Sequence, residues 1–182
     1  MSRSQIKPTL VFLPGMMCDA RLFAPQVAAF EGDYEIIIPE LTGAADMPSL
    51  AHRVLQHVRN RSGDAGLFNL AGLSMGGIVA MEIVAQAPEQ VRRLALLDTN
   101  HLADAPGRAP ARDRQIAAVR EGGLRAVIVG DMKPRYLAEA SRRDQVLLDR
   151  LVGMAMALGP DVFVSQSQAL GNRRDYTEIL AA

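Results

Sequence analysis

The stretch Leu67-Phe-Asn-Leu-Ala-Gly72-Leu-Ser74-Met-Gly76-Gly77-Ile-Val-Ala80 decides how the rest of the chain is read. Leu67 to Ala71 is a short apolar run that reads as a buried strand, and Met75 to Ala87 reads as a helix stopped by Pro88. Between them stands G-x-S-x-G, from Gly72 to Gly76, and its place at a strand-to-helix turn gives the pattern physical meaning. So tight a turn forces the serine into a strained backbone conformation. It also drives together the residues two positions either side, which is tolerable only where Cβ atoms are missing, as at Gly72 and Gly76. Ser74 Oγ is then thrust clear of the sheet at the carboxyl end of the strand, where open parallel sheets bind ligands. The Met75 N–H lies at the positive end of the helix dipole, suited to a developing oxyanion. The competing reading is a glycine-rich turn that merely packs closely or cradles a phosphate. Against it, no Gly-Lys-Ser/Thr of a phosphate loop is present, and GLSMGG lacks the G-x-G-x-x-G spacing.

Working outward, Thr9 to Leu13 (TLVFL) is a continuous apolar run ended by Pro14-Gly15, the mark of a strand buried on both faces. Asp19 can cap a helix carrying Leu22, Phe23, Val27 and Phe30. Tyr34 to Ile38 is a second strand, and Pro48-Ser49 opens a helix with Leu50, Val54, Leu55 and Val58 on one face. Arg93 to Leu97 is a fourth strand, ending in Asp98. Residues 9–98 therefore alternate strand and helix, which predicts an α/β fold: a parallel sheet with flanking helices, since parallel neighbours need crossover connections. After Asp98 the patterns turn helical, around Ile116–Val119, Val127–Met132, Tyr136–Ala140, Gln145–Leu158 and Val162–Leu170. The expected organisation is a core over residues 1–100 and a helical cap or lid over 101–182.

Composition narrows the function. With 182 residues, 49% hydrophobic and 22% charged, the chain has the profile of a soluble globular domain with decoration. Twenty Lys and Arg against twenty Asp and Glu leave no net charge, which excludes the strong basic field of a dedicated nucleic-acid binder. The single cysteine, Cys18, excludes an intramolecular disulfide and a multi-cysteine metal site, and fits a reducing cytoplasm. No membrane partner is expected. The uncharged stretch Leu67 to Met81 is short and broken by polar residues and glycines, and Pro14-Gly15 interrupts the apolar run that follows Arg3 and Lys7.

An oxyanion hole needs a second donor, and the loop leaving the first strand, Leu13-Pro14-Gly15-Met16-Met17, is where to seek it. Gly15 would permit a twist that aims the Met16 N–H inward; an ordinary Pro-Gly turn is the plainer alternative. Met16, Met17, Met75, Met154 and Met156 could line an apolar acyl pocket, with core packing an equal reading for the last two. From Arg108 to Arg143 nine basic residues face four acidic ones, which reads as a solvated helix face or as attraction for an anionic substrate.

LVFLPGMM, GLSMGGIVAME and VRRLALLDTN together resemble the α/β-hydrolase superfamily in its small bacterial esterase-like branch, over residues 8–100, with 101–172 similar to its helical cap. The resemblance implies hydrolysis of a carboxylic ester or thioester, as a small-molecule acyl substrate, through an acyl-serine intermediate. Neither cofactor nor metal is implied. Ser74, where an aspartate would suggest a dehalogenase or epoxide hydrolase, argues against both. Where many relatives have His-Gly this chain has Pro14-Gly15.

The superfamily orders its triad Ser, then acid, then His, on later strands. The resemblance implies that this chain, ending at Ala182, stops before those strands, an incomplete hydrolase impaired by the loss of acid and histidine. Of three histidines, His52 and His57 fall on a helix upstream of the serine, as helix surface. Asp98 is a candidate acid, since some relatives carry the acid after this strand, and His101 is a candidate base only if its loop folds back across the site. The fourth strand would present an open edge to a second copy or to a complementing chain. The alternatives are a thioesterase, acyltransferase or C–C bond hydrolase on the same elbow, and a catalytically silent module that binds a ligand or partner.

Overall fold

A computed structural model describes residues 7–62, 66–132 and 136–181. Four parallel strands, β1 (Thr9–Leu13), β2 (Glu35–Ile37), β3 (Phe68–Leu73) and β4 (Val91–Leu97), form one sheet in the order β2-β1-β3-β4. Between them run α1 (Ala24–Phe30), preceded by a 3-10 turn over Ala20–Phe23, α2 (Met47–Ser62) and α3 (Met75–Gln86). β1 and β3 are centrally placed and run in register from Thr9 opposite Phe68 to Leu13 opposite Gly72. Their carboxyl ends therefore finish side by side, and the loop after β1 emerges next to the turn after β3.

Alternation along the strands divides the core. Val11, Leu13, Phe68 and Leu70 meet Leu50, Val54, Met81 and Ile83 of α2 and α3 on one face. Phe12 and Ala71 meet Phe23 on the other, with the Phe12 and Phe23 rings stacked at 4.7 Å between centroids. Val27 of α1 joins that second cluster, which draws on β1, β2 and β3 and on no residue of β4. On β4, Leu94 and Leu96 consequently pack inward while Arg93, Ala95 and Leu97 stay exposed. β4 is also the sheet's outer strand.

Past β4 the described residues hold helices and turns only: α4 (Ala109–Ala118), α5 (Leu124–Val127), α6 (Gln145–Leu158), α7 (Pro160–Gly171) and α8 (Thr177–Ala181). A wide π turn over Val119–Gly123 joins α4 to α5, with Gly122 at φ 91° in a backbone region that glycine enters without cost. Ile128–Met132 forms a second such turn. The stretch expected to be helical around Tyr136–Ala140 holds, in its described part, a 3-10 turn over Glu139–Ser141. Asp144 caps α6 by accepting the Leu147 N–H at 3.0 Å, and Pro160 starts α7.

This helical layer has its own core, in which Val119, Leu124, Ile128, Val152 and Phe163 enclose the side chain of Met17. A residue of the loop after β1 thus plugs the layer to the carboxyl end of the sheet. A second tie lies at the other end. Tyr176, fully buried, donates its hydroxyl to Glu82 of α3 at 2.9 Å, and Arg174 reaches both carboxylate oxygens of Glu82 at 3.0 and 3.1 Å. No helix among the described residues is long and apolar enough to cross a membrane.

Candidate active site

The turn between β3 and α3 places Ser74 at φ 53°, ψ −114°, a left-handed backbone that costs an L-residue of order 1–3 kcal/mol. The surroundings hold it there. Ser74 N–H donates to the Leu97 carbonyl of β4 at 2.9 Å. The Ser74 carbonyl accepts from Gly77 N–H at 2.9 Å and from the Thr99 hydroxyl at 2.7 Å. Close approach explains the glycines. A Cβ on Gly72 would lie 2.5 Å from the Gly76 carbonyl carbon, and one on Gly76 would lie 2.5 Å from the Leu13 carbonyl carbon. A Cβ on Gly77 would strike the Thr99 side chain at 2.7 Å. Ser74 occupies the N-cap position of α3 yet makes no side-chain capping bond, so its exposed hydroxyl is not spent on the helix.

Ser74 opens onto a cavity of about 510 Å³ that is also lined by Met16, Asp98, Tyr136, Ser167 and Arg112. Of the groups singled out in the sequence, this brings together Ser74, Met16 and Asp98; Met75 adjoins them as the first residue of α3, its side chain buried in the core. Asp98 follows β4 at φ 41°, a second left-handed non-glycine residue on the same rim. His101 is not brought in. Its carbonyl accepts the Tyr176 N–H at 2.8 Å, and its exposed imidazole acts on Asp175, whose carboxyl is held below its usual range first by the Thr177 hydrogen bonds. His52 and His57 are exposed on α2. Met154 is buried beside Cys18 and Leu151, and Met156 is exposed; neither lines the cavity, whose methionines are Met16 and Met132.

The loop after β1 is a β-turn closed by Cys18 N–H to the Gly15 carbonyl at 3.1 Å. Its left-handed residue is Met17, at φ 56°, and not Gly15, where the sequence suggested the twist. Gly15 instead gives proximity: a Cβ there would sit 3.7 Å from Ser74 Cβ. The Met17 N–H is committed to Gln166 Oε1 at 2.8 Å. Among the described residues no acceptor takes the N–H of Met16 or of Met75. Cys18, buried, has its thiol pushed up to about 12 by that burial and then by Asp19, which leaves it a neutral packing group.

Across the cavity, Asp104 takes Arg112 on one carboxylate oxygen at 2.9 Å and Arg173 on the other at 2.8 Å. Burial works to raise the Asp104 carboxyl, but the two guanidinium groups outweigh it and hold the carboxyl below its usual range. Thr99, Asp104 and Gln166 are not among the residues that the sequence singles out. Gln166 did leave a signal: it stands at the helical spacing of Phe163 and Leu170, a polar residue on the apolar face of α7.

No curated protein matches this chain significantly. Among solved structures, a thermophilic esterase from Thermogutta terrifontis with malate bound is similar at TM-score 0.87 and 24% identity, over 96% of this chain and 67% of that one. The enol-lactonase from Burkholderia xenovorans is similar at TM-score 0.81 and 19% identity, over 94% and 68%. MenH from S. aureus follows at 0.75 and 16%, over 96% and 70%. The chain spans about two thirds of the length of each, and identities this low speak for the fold, that of the α/β-hydrolases. The thioesterase domain model matches residues 8–157, most of the chain, and the chain belongs to that family.

Proposed function

We propose that this chain is a serine hydrolase of carboxylic esters or thioesters, with Ser74 as nucleophile and the N–H groups of Met16 and Met75 as oxyanion hole. The observation that carries the reading is a strained serine that opens into a cavity and whose hydroxyl, like the neighbouring N–H groups of Met16 and Met75, has no hydrogen-bond partner among the described residues. Ser74 Oγ gives up its proton to the base of the site as it attacks the acyl carbonyl, and negative charge collects on the carbonyl oxygen between the two donors. The base returns the proton to the leaving group. The alcohol or thiol leaves protonated, and water then releases the acid from acyl-Ser74. Residues 1–100 form the catalytic core and 101–182 the cap that shapes the cavity. No cofactor takes part, and a single buried thiol suits a reducing cytoplasm.

A serine needs a base, and among the described residues the cavity offers Asp98 but no histidine. In this reading a polypeptide segment adding a strand to the open edge of β4 supplies the missing histidine, with Asp98 as the acid of the site. The reading of another class that an observation favours is a silent binding module, because among the described residues no histidine lines the cavity.

The test is a panel of 4-nitrophenyl esters and acyl thioesters on the unmodified chain and Ser74→Ala, with a fluorophosphonate label followed by peptide mass. Ser74→Ala is expected to abolish turnover and labelling, a loss on the order of 10⁶ where a base is in place and far smaller where it is absent. Equal turnover in both proteins, or a label on another residue, refutes the nucleophile and leaves the binding module.

A further inference from the structure

We infer that the Ser74 cavity selects esters or thioesters bearing a carboxylate apart from the reacting carbonyl, and that Arg112 and Arg108 of the helical layer hold that carboxylate. This deepens the hydrolase reading above and rests on it. Arg108 and Arg112 stand four residues apart at the start of α4, on one side of the helix, and both line the cavity. Arg173, just past α7, lines it too.

Charge singles out this wall. The side chains of Arg112, Arg173 and Asp104 are nearly enclosed, at 14%, 9% and 9% exposure. Two guanidinium groups there share one ionised carboxylate, so the enclosed cluster carries a surplus positive charge. Such a surplus, held away from water, is costly until an opposite charge joins it. Donors are left over as well. Arg173 is well supplied: its Nη1 serves Asp104 and the Leu170 carbonyl, and its Nε serves the Leu102 carbonyl. Arg112 spends only Nη2, on Asp104, and its Nε is buried with no partner among the described residues. A guanidinium engaged through one nitrogen keeps donors for a second carboxylate. Arg108, exposed one turn away, forms no ion pair among the described residues.

Two further carboxylates line the cavity, and both are exposed. Asp98 stands beside the elbow after β4, and Asp131 accepts from the Gln115 amide at 3.0 Å. Neither forms an ion pair with an arginine among the described residues, so water and not the cluster answers their charge. The surplus of one charge suits a carboxylate better than a phosphate monoester, which carries about two. Ile78, Leu102, Met132 and Leu170 also line the cavity and suit the methylenes between ester and carboxylate. A second hollow, of about 550 Å³, shares Arg108 and Arg112 with the first but not Ser74. The arginines thus border both hollows, where a substrate can run on past the nucleophile.

The experiment measures binding by calorimetry in the Ser74→Ala background, which cannot turn the probes over. Monomethyl glutarate carries its carboxylate on the acyl side, and 4-acetoxybutanoate carries it on the alcohol side. Dimethyl glutarate and methyl 4-acetoxybutanoate are their neutral counterparts. At least one of the charged probes should bind about 10- to 100-fold tighter than its neutral counterpart, which also tells the acyl side from the alcohol side. That preference should fall to within about twofold on adding Arg112→Gln, and by about threefold on adding Arg108→Gln. Where Arg112→Gln does not fold, Arg108→Gln decides, since that side chain is exposed and ties nothing down. No preference with either probe, or a preference that both arginine variants leave intact, overturns the proposal. Butyl phosphate binding tighter than either charged probe overturns the choice of a carboxylate. Failure of the hydrolase reading looks different: the arginine-dependent preference stands, while a fluorophosphonate leaves Ser74 of the unmodified chain unlabelled. Normal labelling of Ser74 without the preference sinks the carboxylate site alone.

Discussion

At the scale of single residues, the site depends on atoms that are missing. Gly76 faces the Leu13 carbonyl and lies 2.7 Å, measured from its hypothetical Cβ, from the Pro14 carbonyl oxygen. Both obstacles are backbone, so neither can swing aside as a flexible side chain would. Gly76→Ala is therefore expected to separate β1 from α3, costing about 3 kcal/mol in a urea melt or preventing folding. At Gly15 the nearest atoms to a new Cβ are the Leu73 carbonyl oxygen at 3.6 Å and Ser74 Cβ at 3.7 Å, ordinary contact distances. Gly15→Ala should keep stability within about 1 kcal/mol, and a larger loss there than at Gly76 would show the crowding argument to be wrong. This contrast also explains what the sequence could disclose. Gly72, Ser74 and Gly76 are legible because the elbow is local, with Gly72 pressed against the Gly76 backbone inside one short turn; the contact of Gly76 with Leu13 and Pro14 is the part the motif does not show. Gln166 shows in the sequence only as a polar residue on an apolar helix face; its role is not legible, because its partners lie 149 and 125 residues away and no spacing rule links a glutamine to a turn across that distance.

At the scale of elements, α3 carries the elbow at one end and a buried carboxylate near the other. Glu82 is 3% exposed and accepts from Arg174, Tyr176 and Gln86. The exposed part of Arg174 contributes little, since solvent screens it, whereas the Tyr176 phenol is sealed in with Glu82. Glu82→Ala leaves that hydroxyl buried without its acceptor and should cost about 2–3 kcal/mol, measured as a shift of the urea midpoint at constant slope. A loss below about 0.5 kcal/mol would show that the contact between α8 and α3 stands on apolar packing alone. The strands and helices up to Leu97 were readable to within a few residues because each is covered on a definite face, which imposes a regular apolar pattern. β2 is shorter than its apolar run, since it pairs only with β1 and only from Glu35 to Ile37. Beyond residue 100 the pattern gave the bounds of α6, Gln145–Leu158, and nearly those of α7, but not those of the elements between Ala109 and Met132. There the chain bends through π turns at Val119–Gly123 and Ile128–Met132, where side chains leave the 3.6-residue register on which periodicity depends.

At the scale of the whole molecule, the helical layer is joined to the sheet through a few buried groups, and the charge states of some of them make stability depend on pH. The Asp104 carboxyl, lowered on folding by Arg112 and Arg173 against the effect of burial, adds stability above the ordinary carboxylate range and loses it as pH falls through its folded value. The opposite limb belongs to groups kept neutral. Burial pushes the Cys18 thiol from 9.0 up to about 12, and burial together with Glu82 pushes the Tyr176 phenol up as well. For such groups the contribution is complete below the unfolded pKa. Above it the unfolded chain releases protons that the folded chain retains, so stability declines as pH climbs toward the folded value. Cys18 packs against Leu151 and Met154 of α6, which links that decline to the seam between the loop after β1 and the helical layer. Cys18→Ala removes one ionisable group at a modest packing cost that does not vary with pH. Urea midpoints taken from about pH 7 to pH 11 should thus run parallel for the two proteins up to about pH 8.5 and converge above it, the variant falling less steeply. Parallel curves over the whole range would mean that the thiol ionises as readily in the folded chain as in the unfolded one, and that the seam admits water.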